Sequence, residues 1–382
     1  MAGPMAYRNQ FFVGIITGII VSLIVLGILR SHNGRDDLHT PNFSNLRGLG
    51  GSAGDSAAVQ MHMDALRKQE IALKNEQSSL QGKRAADPSY APLPEIEGLL
   101  PHHSDNHQED DTSLADMLYS KVRILCWVMT SPDNLEKKAI HVYKTWAHKC
   151  NKLLFISSKE NKTFPAPVIR VETEEGREHL TAKTMHAFKY IYDNHFTDAD
   201  WFMKADDDTF AIMENLRYFL ADKNPKDPVY YGHHFKTIVK PQGYYSGGGG
   251  YVLSKEALQR FNDKGFHNDA VCREDGGAED AEFGKCMQNL GVHTAESYDE
   301  RGASRFHCFN PGTHLHGGYP DWYLQYDSHG AVHGVDKVSD YPITFHYVNP
   351  QEMYSLAWYT YHLKVYGHAS RAFPKLHEYY VK

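Results

Sequence analysis

Residues 119–366 alternate between apolar and mixed segments in a way that predicts strands and helices in turn. The strand-like apolar runs are, in order, VRILCWVMT, KLLFISS, PVIRVET and WFMKAD. The segments with helical spacing are NLEKKAIHVYKTWAHKC, REHLTAKTMHAFKYIYDNHF and AIMENLRYFLADK. Such alternation predicts an α/β fold with a mostly parallel central sheet and helices on both faces.

The N-terminal segment 11–29, FFVGIITGIIVSLIVLGIL, contains no charged residue. A helix of about 20 apolar residues spans a bilayer, so the segment predicts a transmembrane signal anchor after a cytoplasmic tail at 1–10. A cleaved signal peptide is the alternative, but the run is long for one and no small-residue cleavage site clearly follows it. Asn42 and Asn161 begin Asn-x-Ser/Thr sequons and are candidate glycosylation sites, which favours a lumenal remainder.

Residues 30–118 are rich in Gly, Ser, Asp, His and Pro and lack sustained core-forming periodicity, which indicates a lumenal stem. Five apolar stem residues on heptad spacing would allow two chains to pair as a homodimer: Val59, Met63, Leu66, Leu73 and Leu80. A solitary amphipathic helix explains them as well, because fewer than four clean heptads are present. We expect a catalytic domain at 119–368 and a C-terminal tail at 369–382.

All five cysteines follow the predicted anchor, which favours an oxidising compartment. Cys126 with Cys150 and Cys272 with Cys286 are the expected disulfides, because each pair is near in sequence and flanks one predicted element. Cys308 is then left over, either free or paired between chains.

Three consecutive carboxylates, Asp206, Asp207 and Asp208, end the apolar run WFMKA. Adjacent carboxylates repel one another, so they remain ionised together only in water or beside a cation. In a strand, Asp206 and Asp208 would point to one face, where their oxygens suit Mn²⁺ or Mg²⁺. Capping of the next helix is the alternative, but one Asp suffices for a cap, so a metal or diphosphate role is favoured.

The segment SGGGGYVLS contains four successive glycines at 247–250. Glycine loses much conformational freedom on folding, so the run indicates a need for positive φ or for close approach to the backbone. A sugar against the bare backbone at Gly248 and Gly249 would explain the run, and so would a flexible loop or bulge. The Lys-Ser/Thr ending of a P-loop is missing, so ATP chemistry is not indicated.

Two further motifs carry side chains suited to transfer chemistry. Glu279 and Asp280, in GGAEDAEFG, fall near a predicted helix start, where the helix dipole stabilises a carboxylate and where an acid can also act as a base. His346 lies in the β-rich run ITFHYV; a lone strand histidine is usually a core residue, although imidazole also suits Mn²⁺. Spacing alone leaves both motifs undecided.

Several long motifs together resemble the animal core-1 β-1,3-galactosyltransferases of glycosyltransferase family 31: RILCWVMTSPDNLEKKAIHVYKTWAHKCNKLLF, ADWFMKADDDTF, QGYYSGGGGYVLSKEAL, GAEDAEFGKCMQNLGV and FHYVNPQEMY. The resemblance covers roughly residues 119–368. It implies a GT-A fold in a type II Golgi membrane protein with a lumenal catalytic domain. It also implies inverting, Mn²⁺-dependent transfer of galactose from UDP-galactose to the 3-hydroxyl of N-acetylgalactosamine on Ser or Thr of glycoproteins.

The resemblance also assigns roles to individual residues. It makes Asp206, Asp208 and His346 the metal ligands, with Asp208 the direct ligand and Asp206 nearer the ribose, and it places Asp206 and Asp207 against the nucleotide sugar. It makes Asp280 the catalytic base.

Two further expectations rest on less specific signals. Lys183 matches a Lys-Thr pair of the wider family and is expected to hold the donor or the aspartates, although a surface helix lysine is the alternative. Trp322, Tyr323 and Tyr326 are expected to stack on the acceptor sugar, although aromatic loops are as often local core.

The chain departs from the family's pattern on what would be the acceptor side. Lys337 and Val338 stand where relatives carry two adjacent cysteines, and Leu324 stands where they carry Trp. The segment Gly312-Thr313-His314-Leu315 stands where the usual pattern is Glu-His-His-Leu. A related inverting UDP-sugar transferase with another acceptor is therefore an alternative. A non-catalytic, chaperone-like paralogue is a further one, which the retained metal and base motifs argue against. The net charge of −7 and the lack of a basic stripe argue against a nucleic-acid partner.

Overall fold

The computed structural model describes residues 111–365. The predicted anchor, Asn42, most of the stem and the C-terminal tail lie outside this range. Inside it, no helix combines the length and the apolar character needed to traverse a bilayer.

Twelve strands form within the described residues. In chain order they are β1 (Ile124–Met129), β2 (Lys152–Ser157), β3 (Val168–Arg170), β4 (Trp201–Asp206), β5 (Phe210–Ala211), β6 (Val229–Gly232), β7 (His234–Phe235), β8 (Tyr244–Tyr245), β9 (Tyr251–Ser254), β10 (His293–Thr294), β11 (Phe306–His307) and β12 (Thr344–Phe345).

A seven-stranded sheet in the order β10-β6-β9-β4-β1-β2-β3 forms the centre of the domain. Neighbouring strands are parallel except that β9 runs antiparallel to both β4 and β6. A mixed, mostly parallel sheet is the architecture that the sequence predicted. Two smaller sheets, β11-β12-β5 and β7-β8, lie outside it.

Nine α-helices accompany these strands in the described range. They are α1 (Ser113–Lys121), α2 (Ile140–Thr145), α3 (Leu180–His195), α4 (Met213–Leu220), α5 (Lys255–Arg260), α6 (Glu279–Asn289), α7 (Pro311–His316), α8 (Asp321–Tyr326) and α9 (Pro350–Tyr361). Single 3₁₀ or π turns occupy Pro132–Asn134, Leu135–Ala139, Ala147–Lys149, Arg177–His179 and Phe261–Gly265.

Strand β1 shows why the central strands read as continuous apolar runs. Cys126 and Val128 belong to one apolar cluster, whereas Leu125 and Trp127 belong to another. Successive side chains of a strand point to opposite faces, so β1 is buried on both faces of the sheet. The first cluster also receives residues of α4 and α9, and the second receives residues of α3, α5 and α6.

Two disulfides tie surface segments to this core. Cys126 of β1 bonds to Cys150, which ends the turn after α2, and Cys272 bonds to Cys286 of α6. These are the two pairs that the sequence predicted. Cys308 is free and buried.

Candidate active site

The aspartate cluster lies at the carboxyl end of β4, in the middle of the sheet. Asp206 is in register with Met129, so the carboxyl ends of β1 and β4 coincide there. Asp207 and Asp208 form the turn that leads to β5, and the Thr209 N–H closes this turn by donating to the Asp206 carbonyl at 3.1 Å. Open α/β sheets bind ligands at this kind of edge.

The three-stranded sheet β11-β12-β5 brings His346 to this turn from far along the chain. Strand β12 pairs antiparallel with β5, with Phe345 opposite Phe210, and His346 follows β12 directly. The Val348 N–H donates to the Asp208 carbonyl at 3.0 Å and holds the next residues in place. The pairing therefore sets His346 beside Asp208.

The three expected metal ligands converge. His346 Nε2 lies 3.0 Å from Asp208 Oδ1 and 3.8 Å from Asp206 Oδ2. Burial acts to raise the pKa of Asp208, but the charges of His346 and Lys138 beside it hold that pKa below its ordinary value of 3.8. Asp208 is therefore ionised near neutral pH.

Asp207 faces away from this group. Its Oδ2 accepts hydrogen bonds from Thr130 Oγ1 at 2.8 Å and from Asn134 Nδ2 at 3.0 Å. Burial, reinforced by the charge of Asp208, raises the pKa of Asp207 to about 6. Asp207 therefore stabilises the loop after β1, and the expectation that it contacts the donor is not met by this placement.

The glycine run lets the backbone approach His346 closely. A Cβ atom on Gly248 would lie 2.0 Å from Cε1 of His346, and a Cβ on Gly247 would lie 2.5 Å from a carboxylate oxygen of Glu279. Gly250 has a φ of +74°. Gly248 thus leaves space for the imidazole of His346. The sequence analysis instead explained the glycine run by a sugar lying against the backbone, so this role of Gly248 was not predicted. At Gly249 a Cβ would meet Ser246 only at 3.4 Å.

The paired acids at the start of α6 have different surroundings. Glu279 Oε1 accepts hydrogen bonds from Thr184 Oγ1 and Tyr251 OH, each at 2.8 Å, which fixes this side chain in the core. Asp280 lines a cavity that is described below, and its Oδ2 accepts a long hydrogen bond of 3.4 Å from the Gly247 N–H. Burial raises the pKa of Asp280 above its ordinary value of 3.8.

A cavity is lined by Asp206 and His346 of the metal-ligand group and by Asp280. Its polar lining includes Arg177, Lys204, Asp206, Ser246, Glu279, Asp280 and His346. Its remaining lining includes Gly247, Gly248, Phe235, Cys308, Trp322 and Tyr347.

The donor atoms at this site fit a divalent cation. One atom from each of Asp206, Asp208 and His346 lies within 4.8 Å of the others. Around an octahedral ion with ligands about 2.1 Å away, neighbouring ligand atoms are roughly 3 Å apart, which suits His346 and Asp208 as adjacent ligands. Two carboxylates and one imidazole are a donor set that Mn²⁺ and Mg²⁺ accept.

Comparisons with known proteins show the family of this chain. A family model described as Fringe-like matches residues 120–299. Glycoprotein-N-acetylgalactosamine 3-beta-galactosyltransferase 1 of Xenopus laevis is 43% identical over 274 residues, covering 71% of this chain and 75% of that protein. The chain belongs to the glycoprotein-N-acetylgalactosamine 3-beta-galactosyltransferase family.

More distant similarities extend beyond this family. Human chondroitin sulfate synthase 3 is 27% identical over 207 residues, covering 50% of this chain and 23% of that protein. The solved structure of mouse xyloside xylosyltransferase 1 covers 59% of this chain and 97% of its own, at 11% identity and a TM-score of 0.34, which is too low to show a shared fold.

The structure separates the three aromatic residues that the family resemblance put on the acceptor side. Trp322 lines the cavity. Tyr323 is buried, and its hydroxyl lies 3.0 Å from Nε2 of His233, so it is a core residue and the expectation that it stacks on the acceptor is corrected. Tyr326 is half-buried against Phe235 and Trp322. We call Phe235, Phe309, Trp322, Tyr323 and Tyr326 the aromatic wall.

Lys183 also differs from expectation. Its ammonium group donates to the Thr130 carbonyl at 3.0 Å and to Glu175 Oε2 at 2.7 Å. Lys183 is buried on α3 and holds the end of β1. Its ammonium group therefore contacts neither the three aspartates nor the cavity.

Two lysines that the sequence analysis did not single out contact the aspartates directly. Lys138 Nζ lies 2.9 Å from Asp208 Oδ2, and Lys204 Nζ lies 2.5 Å from Asp206 Oδ1. The strand period could have identified Lys204, because it precedes Asp206 by two residues and so shares its face. Lys138 approaches from a distant turn, and no local pattern indicates it.

Proposed function

We propose that this chain transfers galactose from UDP-galactose to the 3-hydroxyl of N-acetylgalactosamine on Ser or Thr of glycoproteins, with inversion at the anomeric carbon. The observation that supports this is the cluster of Asp206, Asp208 and His346, of which Asp206 and His346 line one cavity together with Asp280, in a member of this family. We propose Mn²⁺ as the cation, because a donor set with imidazole suits Mn²⁺ better than Mg²⁺.

The reaction joins the acceptor oxygen to the anomeric carbon as the bond from that carbon to UDP breaks. Asp280 accepts the proton of the acceptor hydroxyl, so its carboxylate must lie on the side of the sugar opposite UDP. Asp206, Asp208 and His346 would hold the cation, which would supply positive charge to offset the negative charge that grows on the departing diphosphate. The transition state has the oxocarbenium character known from glycoside hydrolysis.

Asp280 suits the role of base better than Glu279. Glu279 already accepts two hydrogen bonds through Oε1, and its Oε2 lies 3.8 Å from Lys204. Asp280 accepts hydrogen bonds from the backbone N–H groups of Gly247 and Ala281, and its raised pKa makes it a stronger base than an exposed aspartate. Because the base must be ionised, transfer should fall as pH falls through this raised pKa.

We also propose that the protein is a single-pass type II Golgi membrane protein with residues 111–365 in the lumen. The apolar segment 11–29, the sequons and the two disulfides support this placement.

The test compares two substitutions with a matched surface control in the full chain. Asp280→Asn should bind UDP with Mn²⁺ normally and lose transfer to a GalNAc-α-Thr peptide by about 10²- to 10⁴-fold, the usual contribution of a general base. Asp208→Asn should lose Mn²⁺-dependent UDP binding, measured by calorimetry. Asp340→Asn, at an exposed ion pair with Arg301, is the control. Parental transfer by Asp280→Asn would reject the assigned base, and failure of the parent to glycosylate any such peptide would reject the function.

A second candidate is transfer by the same chemistry to another acceptor. Leu324, which stands where the family pattern has Trp, is 51% exposed on the same short helix as Trp322. A changed residue on the helix that carries Trp322 would alter acceptor recognition before it altered donor binding. A panel of glycan acceptors separates the two candidates: UDP-galactose turnover with a preferred acceptor other than GalNAc-α-Ser/Thr supports the second.

A further inference from the structure

Each candidate metal-ligand carboxylate is bound to a lysine through the oxygen that faces away from the metal position. This arrangement occurs at Asp206 and at Asp208. The two lysines come from different parts of the fold, so the two contacts are separate observations.

At Asp208, the oxygens have different partners. Oδ1 lies 3.0 Å from His346 Nε2, on the side where the three candidate ligands meet. Oδ2 accepts a hydrogen bond of 2.9 Å from Lys138 Nζ. Lys138 also lies 3.6 Å from Asp207 Oδ1, which restricts the direction from which its ammonium group approaches.

At Asp206, the same division recurs. Oδ2 is the oxygen nearer His346, at 3.8 Å, and Oδ1 accepts a hydrogen bond of 2.5 Å from Lys204 Nζ. Lys204 is buried and also donates to the Gly247 carbonyl at 3.0 Å. Both carboxylates therefore present one oxygen to the cation position.

The number of oxygens that a carboxylate offers affects which cation fits. Ca²⁺ takes six to eight oxygen ligands and commonly binds carboxylates through both oxygens, whereas Mg²⁺ and ions of similar geometry prefer six ligands in an octahedron. A carboxylate whose second oxygen is hydrogen-bonded to an ammonium group is held to one ligand atom. One atom each from two aspartates and a histidine leaves three octahedral positions for phosphate oxygens and water.

We propose that Lys138 and Lys204 are positioning residues that hold Asp208 and Asp206 to one ligand oxygen each, so that the site selects a small six-coordinate cation over Ca²⁺. This inference rests on the proposed metal-dependent function. It assigns the two lysines no contact with the substrates.

Lys138 is the residue to change, because its side chain is 38% exposed whereas that of Lys204 is 2% exposed. Lys138→Met removes the ammonium group and keeps most of the side-chain length. Lys138→Arg restores a donor to Asp208 Oδ2. Lys149→Met is a matched control, because Lys149 makes a comparable 3.0 Å ion pair with Glu214 outside the cavity lining.

The sample contains the full chain, MnCl₂ and UDP. The electron paramagnetic resonance signal measures free Mn²⁺, and bound Mn²⁺ is the remainder. CaCl₂ is then titrated into the sample. Lys138→Met should lower the preference for Mn²⁺ over Ca²⁺ by about 10-fold, the smaller effect usual for residues that orient metal ligands. Lys138→Arg should regain most of the preference, and Lys149→Met should keep it. Circular dichroism of each variant verifies folding.

The outcomes separate this inference from the proposed function. If the parent binds Mn²⁺, Asp208→Asn does not, and folded Lys138→Met keeps the parental preference, the lysine role is wrong and the metal site stands. If the parent binds no Mn²⁺ with UDP present, the proposed metal site itself is wrong. If Lys149→Met loses as much preference as Lys138→Met, the effect is one of general surface charge and the lysine role is again wrong.

Discussion

The metal-ligand group and the aromatic wall both contribute residues to one cavity but are built by different forces. In the metal-ligand group, Asp206 and Asp208 lie at the end of β4. Lysines hold both aspartates, and a histidine lies beside Asp208. In the aromatic wall, the rings of β7, α8 and the segment after β11 pack against one another. The first arrangement fixes charges in place, whereas the second fixes a surface.

One buried ion pair connects the aromatic wall to the central sheet. His233 Nδ1 faces the Phe306 carbonyl at 2.9 Å, and Nε2 faces Asp327 Oδ1 at 2.8 Å. A protonated ring therefore has an acceptor at each nitrogen, and Nε2 also lies 3.0 Å from the Tyr323 hydroxyl. Burial acts to lower the pKa of His233, but its contacts with Cys308 and Asp327 raise it well above 6.5.

The contrast shows which contacts the metal-ligand group and the aromatic wall each depend on. Donor chemistry depends on several charged contacts at once, while the geometry of the aromatic wall depends on Asp327, whose Oδ2 also accepts from the N–H groups of Ala331 and His329. Substitutions on the two sides should therefore separate stability, metal binding and acceptor binding.

The largest effect is expected from Asp327→Asn. Loss of the carboxylate leaves a buried imidazolium unpaired, which typically destabilises a protein by about 3–5 kcal/mol. Urea denaturation of the parent and the variant measures the free energy of unfolding. Asp340→Asn is the control, because its ion pair with Arg301 is exposed and should contribute less than about 1 kcal/mol. Equal losses in the two variants would contradict the role of the buried pair.

The next effect is expected from Gly248→Ala. Its Cβ would lie 2.0 Å from the ring of His346, so the imidazole must move away from Asp208. Mn²⁺ affinity should fall by roughly 10- to 100-fold, as when a residue that orients a ligand is lost, and transfer should fall with it. Gly312→Ala, where a Cβ would approach Asn310 only to 3.4 Å, serves as the control. Parental Mn²⁺ affinity in Gly248→Ala would show that His346 is not a ligand.

The smallest effect is expected from Trp322→Ala. Loss of a ring that stacks on a sugar should raise the acceptor KM by up to roughly 10-fold, since such contacts contribute about 0.5–1.5 kcal/mol. UDP-galactose hydrolysis without acceptor should stay unchanged, which distinguishes the two sides of the cavity. Trp358→Ala, on an exposed ring of α9 outside the cavity lining, is the control. A fall in donor hydrolysis with an unchanged acceptor KM would reverse the assignment of the aromatic wall.

The sequence by itself determined the features that depend on neighbouring residues. The buried run of β1 and the helical period of α3 follow from local patterns, and so does the placement of Asp206 at a strand end, because side-chain direction repeats every two or 3.6 residues. The two disulfides were also predictable, since each joins cysteines close in sequence. The resemblance to a known family then indicated His346 and Asp280.

Only the tertiary structure decided the contacts between distant segments. Lys138 reaches Asp208 across 70 residues, and Tyr323 turns into the core to meet His233 across 90 residues. Gly248 makes room for an imidazole that a separate small sheet delivers. Periodicity describes one element at a time, so it cannot specify which side chains meet when strands and turns from different parts of the chain pack together.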